Sequence, residues 1–311
     1  MDVIGRPALT EPLTLHGRAR DLYTGPDGAT HELGAAELDV VIERSGVRGT
    51  VDRISGRPEL PGTGLLVGAS VPAGFRGALA AALPQEVAAA SPLHALLDDV
   101  PGTVIVSGYA WADGSSGDRV DWSRGPRMPI FVDGCSGWAA EGTMMTAVRR
   151  ENALPPMAGP AAPDLGAADS LAWHALREQL PGEMRRRRRT DVLVDPADRG
   201  VLVVDAMFRD SYCDLDGDES VVHEYGLAAR VSRDGSIVLE VAAEPRVLPW
   251  QECPMAAASA QRLVGRPVHG LREAVRSELT GTSTCTHLND LLRSLADLVA
   301  LAPALAPALE G

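Results

Sequence analysis

The chain contains no lysine, so all 29 of its basic residues are arginine. Arginine stays protonated and cannot serve as a Schiff-base amine. Pyridoxal-phosphate chemistry through an internal aldimine, lysine aldolases, Walker-A nucleotide binding and Ser–Lys hydrolases are therefore excluded. Aromatic residues make up only 4% of the chain, and there are only four cysteines. No two cysteines form a Cys-x-x-Cys pair, which rules out a zinc ribbon or finger. No G-x-G-x-x-G or G-x-S-x-G spacing occurs, so dinucleotide and serine-hydrolase readings have no motif behind them. The opening "MDVIGRPALTEPL" lacks the basic and apolar regions of a signal peptide. The apolar tail "LADLVALAPALAPALEG" is cut by prolines and too short to span a bilayer. A cytoplasmic, reducing location without a membrane partner is the default expectation, and cysteines there serve as thiols or ligands.

What is present suits a globular fold: 311 residues, 45% hydrophobic and 23% charged. A net charge of −13 and a pI near 5.0 argue against a nucleic-acid partner, which needs a basic surface. The one basic block, "MRRRRRTD" at 184–191, reads as a solvated linker or strand edge rather than an anion site.

Internal similarity organises the chain. "ARDLYTGPDGATHELGAAELDV" (19–40) lies against "FRDSYCDLDGDESVVHEYGLAARV" (208–231), both reading Arg-Asp-x-Tyr, Asp-Gly, then His-Glu-x-Gly. Downstream, "FRGALAAALP" (75–84) meets "LREAVRSELT" (271–280), and "SPLHALLDD" (91–99) meets "TCTHLNDLL" (284–292). The matches are collinear and imply a tandem duplication: a first repeat at 13–110, a central insertion and linker at 111–198, and a second repeat at 199–305. Alternating runs such as "LDVVIERS" and "GLAARVS" read as strands. "CPMAAASAQRLVG", "GLREAVRSELTG" and "THLNDLLRSLADLVAL" then read as helices, as does "SLAWHALREQL" (170–180) in the insertion. The expected fold class is α+β: in each copy an antiparallel meander with helices on one face.

The second copy carries the candidate chemistry. His223 opens a strand, Cys253 follows a Pro-Trp turn, and Cys285 and His287 begin the last helix. His223, Cys253 and Cys285 are the expected ligands of a mononuclear zinc or iron ion, since thiolate and imidazole suit both metals. A helix start favours thiolate at Cys285. His287, about 200° around an ideal helix from Cys285, ranks below His223 as a ligand and is a candidate acid/base. Glu224 is a second candidate acid/base. Arg209, Arg230 and Arg246 could hold a substrate carboxylate bidentately. The competing reading makes Cys253 and Cys285 small buried packing residues. Cys135 and Cys213 read as packing. "DLDGDES" (214–220) lacks the glycine and bidentate glutamate of a calcium loop and reads as a hairpin turn.

The motifs "RRRR", "FRDSY", "HEY", "PWQECP" and "CTHLND" resemble an uncharacterised bacterial family, a domain of unknown function. More distantly, each half is similar to the NifU-like iron–sulfur scaffold fold. That resemblance implies cysteine ligands at Cys253 and Cys285, with His223 near the place of the first cysteine. Tyr225 stands where that pattern has an aspartate. A mononuclear ion is therefore favoured over an iron–sulfur cluster. The expected function is metal-dependent hydrolysis, hydration or carbon–carbon cleavage of a small carboxylate or carbonyl metabolite. The alternatives are a metal- or cluster-binding scaffold without catalysis, and a metal-free enzyme with Cys285 as nucleophile.

Overall fold

In the longer strands side chains alternate between two faces, and that alternation builds the sheet. The computed structural model describes residues 1–5, 11–45, 48–109, 132–151, 155, 157, 159–167 and 169–305. Among these residues, nine strands form one antiparallel sheet in the order β5-β4-β3-β2-β1-β6-β7-β8-β9. They are β1 (Asp2–Ile4), β2 (Leu13–Thr24), β3 (Thr30–Ser45), β4 (Arg48–Arg57), β5 (Ser70–Val71), β6 (Met184–Val194), β7 (Val201–Cys213), β8 (Glu219–Ser232) and β9 (Val238–Val247). In β2, Leu13, Leu15 and Gly17 turn inward while Thr14, His16 and Arg18 lean the other way. The "DLDGDES" stretch is the β7–β8 hairpin, where Asp214 accepts from the backbone of Asp216 and Asp218.

Helices cover one face. The first half supplies α1 (Phe75–Ala82), α2 (Pro84–Ala89) and α3 (Pro92–Val106); α4 (Thr143–Glu151) follows. The second half supplies α5 (Leu271–Glu278), α6 (Thr286–Ser294) and α7 (Leu298–Leu301). The "CPMAAASAQRL" run is a succession of 3-10 turns over Cys253–Leu263 rather than an α-helix. One apolar core joins β2–β4 to α1 and α3, and another joins β7–β9 to the 3-10 segment, α5 and α6. The fold is thus mixed α+β. No helix among the described residues is long and apolar enough to cross a membrane.

Two further expectations are corrected. The arginine block is neither a linker nor an edge: β6 pairs with β1 and β7, and Arg185, Arg186 and Arg187 are buried. The strand period divides the run between faces. Arg185 binds Asp2 and Arg187 binds Glu219 on one side, while Arg186 binds Asp210 and Asp290 on the helical side. Residues 170–180 form no helix. The carbonyls that a helix would use are taken instead by guanidinium groups: Arg18 donates to Ala175, and Arg20 to Leu171 and Trp173.

Helices α3 and α6 meet over a buried ion network. Asp98 and Asp290 share Arg76 and Arg293, while Arg186 reaches Asp290 and Arg188 reaches Asp99. Gly102 of α3 makes room for it. A Cβ there would overlap the Arg186 guanidinium and the Asp290 carboxylate. Gly102→Ala should therefore cost about 1–3 kcal/mol in urea denaturation, as overpacked cores do. Gly77→Ala, in α1 with open space around it, should instead gain about 0.5–1 kcal/mol from helix propensity. Equal effects of the two changes would contradict this packing.

Candidate metal centre

The second core converges on three buried side chains from three elements: Asp210 on β7, His223 on β8 and His287 at the start of α6. One ligand atom from each lies within 4.8 Å of the others. Cross-strand register sets the first two opposite each other, since Asp210 pairs with His223. The register then slips, leaving Val222 unpaired as a bulge before His223. Helix α6 lays His287 over this pair, its ring stacked on that of His223 with centroids 3.8 Å apart. Phe208 also stacks with His287, their centroids 6.4 Å apart.

Each imidazole has one nitrogen near a partner and one without a hydrogen bond. His223 Nε2 lies 3.2 Å from the Tyr109 hydroxyl, and His287 Nδ1 lies 3.9 Å from Cys285 Sγ. His223 Nδ1 and His287 Nε2 are buried with no hydrogen-bond partner. Asp210 Oδ2 comes within 3.4 Å of His223 Nδ1 but is poorly aligned for a bond. Asp210 itself is clamped by Arg186, whose Nε and a terminal nitrogen donate at 2.7 and 2.9 Å.

Burial sets the protonation states. It pushes His287 down to about 3, helped by neighbouring His223, and lowers His223 against the pull of Asp210. Both rings are neutral at pH 7, as metal ligation requires. Burial would raise Asp210, but the Arg186 guanidinium and His223 outweigh it and hold the carboxyl well below the usual range.

The other expected residues divide. His223 and His287 come together, and Cys285, the N-cap of α6, touches the back of His287. Cys253 is buried as well, its carbonyl accepting from the Tyr225 hydroxyl at 3.2 Å. Burial pushes the thiols of Cys253 and Cys285 up to about 12. Cys135 sits beside them, because Ser136 N donates to Thr284 O at 2.8 Å and Gly137 abuts Cys253 Sγ. Glu224 points to the opposite sheet face, clamped by Arg209 and 3.6 Å from Arg246. Arg230 is bonded to Asp195 there, and Arg246 to Glu244. The structure thus brings none of Glu224, Arg209, Arg230 or Arg246 to the histidines. Asp210 was missed by the sequence reading, although its "FRDSY" motif repeats as "ARDLY".

These shifts fix a pH dependence. His94 is likewise lowered, to about 4, by burial and then by Arg272. The unfolded chain therefore takes up protons near 6.5 that the folded histidines refuse, so their stabilisation is complete above pH 6.5 and lost as pH falls. Asp297, raised to about 6 by burial, opposes this: folding favours its protonation between about 6 and 3.8. The three deeply buried histidines, with His174 also lowered, outweigh Asp297 and the partly buried Asp21, Glu86 and Asp191, which burial raises as well. Asp210 and Asp290, both held below 3.8, add a further loss under about pH 4. Metal-free protein should lose about 2–4 kcal/mol between pH 7 and pH 5 in urea titrations. A flat profile would contradict the buried neutral histidines.

No curated protein and no solved structure matches the chain. The similarity to the NifU-like fold is accordingly not shown. Residues 184–301, which hold Asp210, His223 and His287, match the family model described as Protein of unknown function (DUF2889).

Proposed function

We propose that the protein is a mononuclear metal-dependent enzyme, with Asp210, His223 and His287 holding zinc or iron. The observation that carries this is the pair of buried nitrogens without a well-formed hydrogen bond, His223 Nδ1 (3.4 Å from Asp210 Oδ2) and His287 Nε2, gathered with that one carboxylate. A buried polar atom without a partner costs about 1–3 kcal/mol, and a cation would satisfy both. The opposite nitrogen of each ring faces Tyr109 or Cys285, the outer-shell arrangement that orients metal-bound histidines. Two histidines and a carboxylate suit zinc and ferrous iron alike. This set keeps His223 from the sequence reading, promotes His287, and moves Cys285 to a supporting place.

Such a centre leaves coordination positions open for water or substrate. The surrounding acids Asp98, Asp99, Asp210 and Asp290 are matched by Arg76, Arg186, Arg188 and Arg293. A divalent ion would therefore leave the site net positive and favour an anionic fourth ligand. That supports a small carboxylate or carbonyl substrate, turned over by hydrolysis, hydration or carbon–carbon cleavage. A cavity of about 20 Å³, room for one water, lies beyond Tyr109 and is lined by Tyr109, Tyr212 and Val222 but by none of the three candidate ligands. The burial of all three ligands favours the second reading, a structural metal in a scaffold protein. The metal-free nucleophile reading fares worse, since Cys285 would have to ionise from a pKa pushed up to about 12.

We also read the two halves as a tandem duplication. Support comes from the strand order, which is mirrored about the β1–β6 pair: β4-β3-β2-β1 on one side and β6-β7-β8-β9 on the other. Among the described residues the first half shows no matching site: His31 is exposed on β3, while His94 is buried in α3 facing Arg272.

Untagged protein should retain a stoichiometric metal by plasma mass spectrometry. His223→Ala, His287→Ala and Asp210→Asn, with the fold checked by circular dichroism, should each lose it. Cys285→Ser should weaken retention about 10–100-fold as an outer-shell change, and Cys253→Ser should leave it intact. Folded His287→Ala and Asp210→Asn proteins that keep their metal would sink this ligand set.

A further inference from the structure

Three of the four cysteines, all free thiols, meet where three segments converge. Cys135 is the N-cap residue of the 3-10 turn Ser136–Trp138, Cys253 opens the 3-10 segment Cys253–Leu263, and Cys285 is the N-cap of α6. Main-chain contacts hold the Cys135 turn in place. Ser136 N donates to Thr284 O at 2.8 Å, and Ser136 Oγ donates to the Cys253 carbonyl at 3.5 Å, although 117 positions separate that pair in sequence. Gly137 makes the approach possible. A Cβ there would come within 2.6 Å of Cys253 Sγ and 3.0 Å of the Trp250 ring, so only glycine lets the turn lie against that sulfur.

The thiols are not equivalent. Cys135 is half-buried, whereas Cys213, Cys253 and Cys285 are buried, so a small solute reaches Cys135 first. Burial raises the Cys135 thiol, but the N–H groups of Trp138, Gly137 and Thr286 and the Thr286 hydroxyl pull the other way and favour its thiolate. Thr286 is the first residue of α6, and its N–H is one of the donors that a helix start leaves without an intrahelical partner. Cys253 lacks that access, and burial pushes its thiol up to about 12, which suits it to a second step rather than a first. Cys285 Sγ lies 3.9 Å from His287 Nδ1 and belongs to the histidine site, while Cys213 Sγ contacts the Gln179 carbonyl.

We propose that Cys135 and Cys253 form an oxidisable dithiol, a modification site for hydroperoxides that is separate from the histidine centre. The Cys135 thiolate attacks one peroxide oxygen: an S–O bond forms, the O–O bond breaks, and the other oxygen leaves as water or alcohol with the thiol's proton. Cys253 then attacks the sulfenic sulfur. The S–S bond forms, the S–O bond breaks, and the hydroxyl departs as water with the Cys253 proton. Two electrons pass from the thiols to the peroxide, so no further oxidant is required. The link ties the Cys135 turn covalently to the second core. That turn leads into α4, whose own apolar cluster is small: Met144, Met145 and Val148, packed against Trp138 and Trp250.

The test treats the reduced full chain, freed of reductant, with hydrogen peroxide and maps its peptides by mass spectrometry without reduction. The expected product is a Cys135–Cys253 link that dithiothreitol reverses. Cys135→Ser should lower the yield of any disulfide at least about tenfold, since the remaining thiols are buried. Cys253→Ser should leave a sulfenic acid at Cys135 that dimedone traps, and Cys213→Ser and Cys285→Ser should still form the link. If Cys253→Ser fails to fold, dimedone added with the peroxide to the unaltered protein decides, and its adduct should fall on Cys135. No reaction at Cys135, a first adduct on another cysteine, or loss of the link in folded Cys285→Ser protein would each overturn the proposal.

Discussion

A guanidinium buried in the middle of a sheet has to be neutralised where it stands, and Arg186 imposes that condition on this fold. Its side chain is 2% exposed. Asp210 answers it from the neighbouring strand and Asp290 from α6. Helix α3 passes close enough only because Gly102 has no side chain. Replacing one partner of such a group strands the others, at about 3–5 kcal/mol. The sheet, the two helices and the contact between the halves are therefore tied to one cation.

The same constraint shapes the histidine site. Asp210 is held by Arg186 with its second oxygen toward His223, and Asp290 anchors the helix that carries His287. What fixes the carboxylate for structural reasons thus also preorganises it beside two neutral imidazoles. On the proposed reading, a ligand set supported this way would lose little freedom on taking up an ion. The bulge at Val222 is the local device that turns His223 into place.

Much of this was legible in the residues, and the rest was hidden for identifiable reasons. Strand alternation and the Asp-Gly turn gave the antiparallel meanders. The motif "CTHLND" marked the start of α6, and "HEY" marked the strand with His223. The arginine run misled because consecutive like charges signal a solvated face, whereas a strand splits them onto two faces with separate acids. The 170–180 segment reads as a helix from its own sequence, but its carbonyls are claimed by Arg18 and Arg20, more than 150 residues away. Asp210 carried no local sign of its role, because only cross-strand register places it beside His223. Spacing likewise favoured Cys253 and Cys285 over His287, since an ideal helix sets His287 away from Cys285, while in the fold the ring turns back to it through Nδ1.

The claim that most depends on these contacts is that the site holds its metal through nitrogen and oxygen alone. X-ray absorption at the metal edge of zinc- or iron-loaded protein tests it directly. Scattering from two imidazoles and a carboxylate, at about 2.0–2.2 Å and with no sulfur in the first shell, is the predicted result. Sulfur scattering near 2.3 Å would contradict it and return Cys253 and Cys285 to the metal.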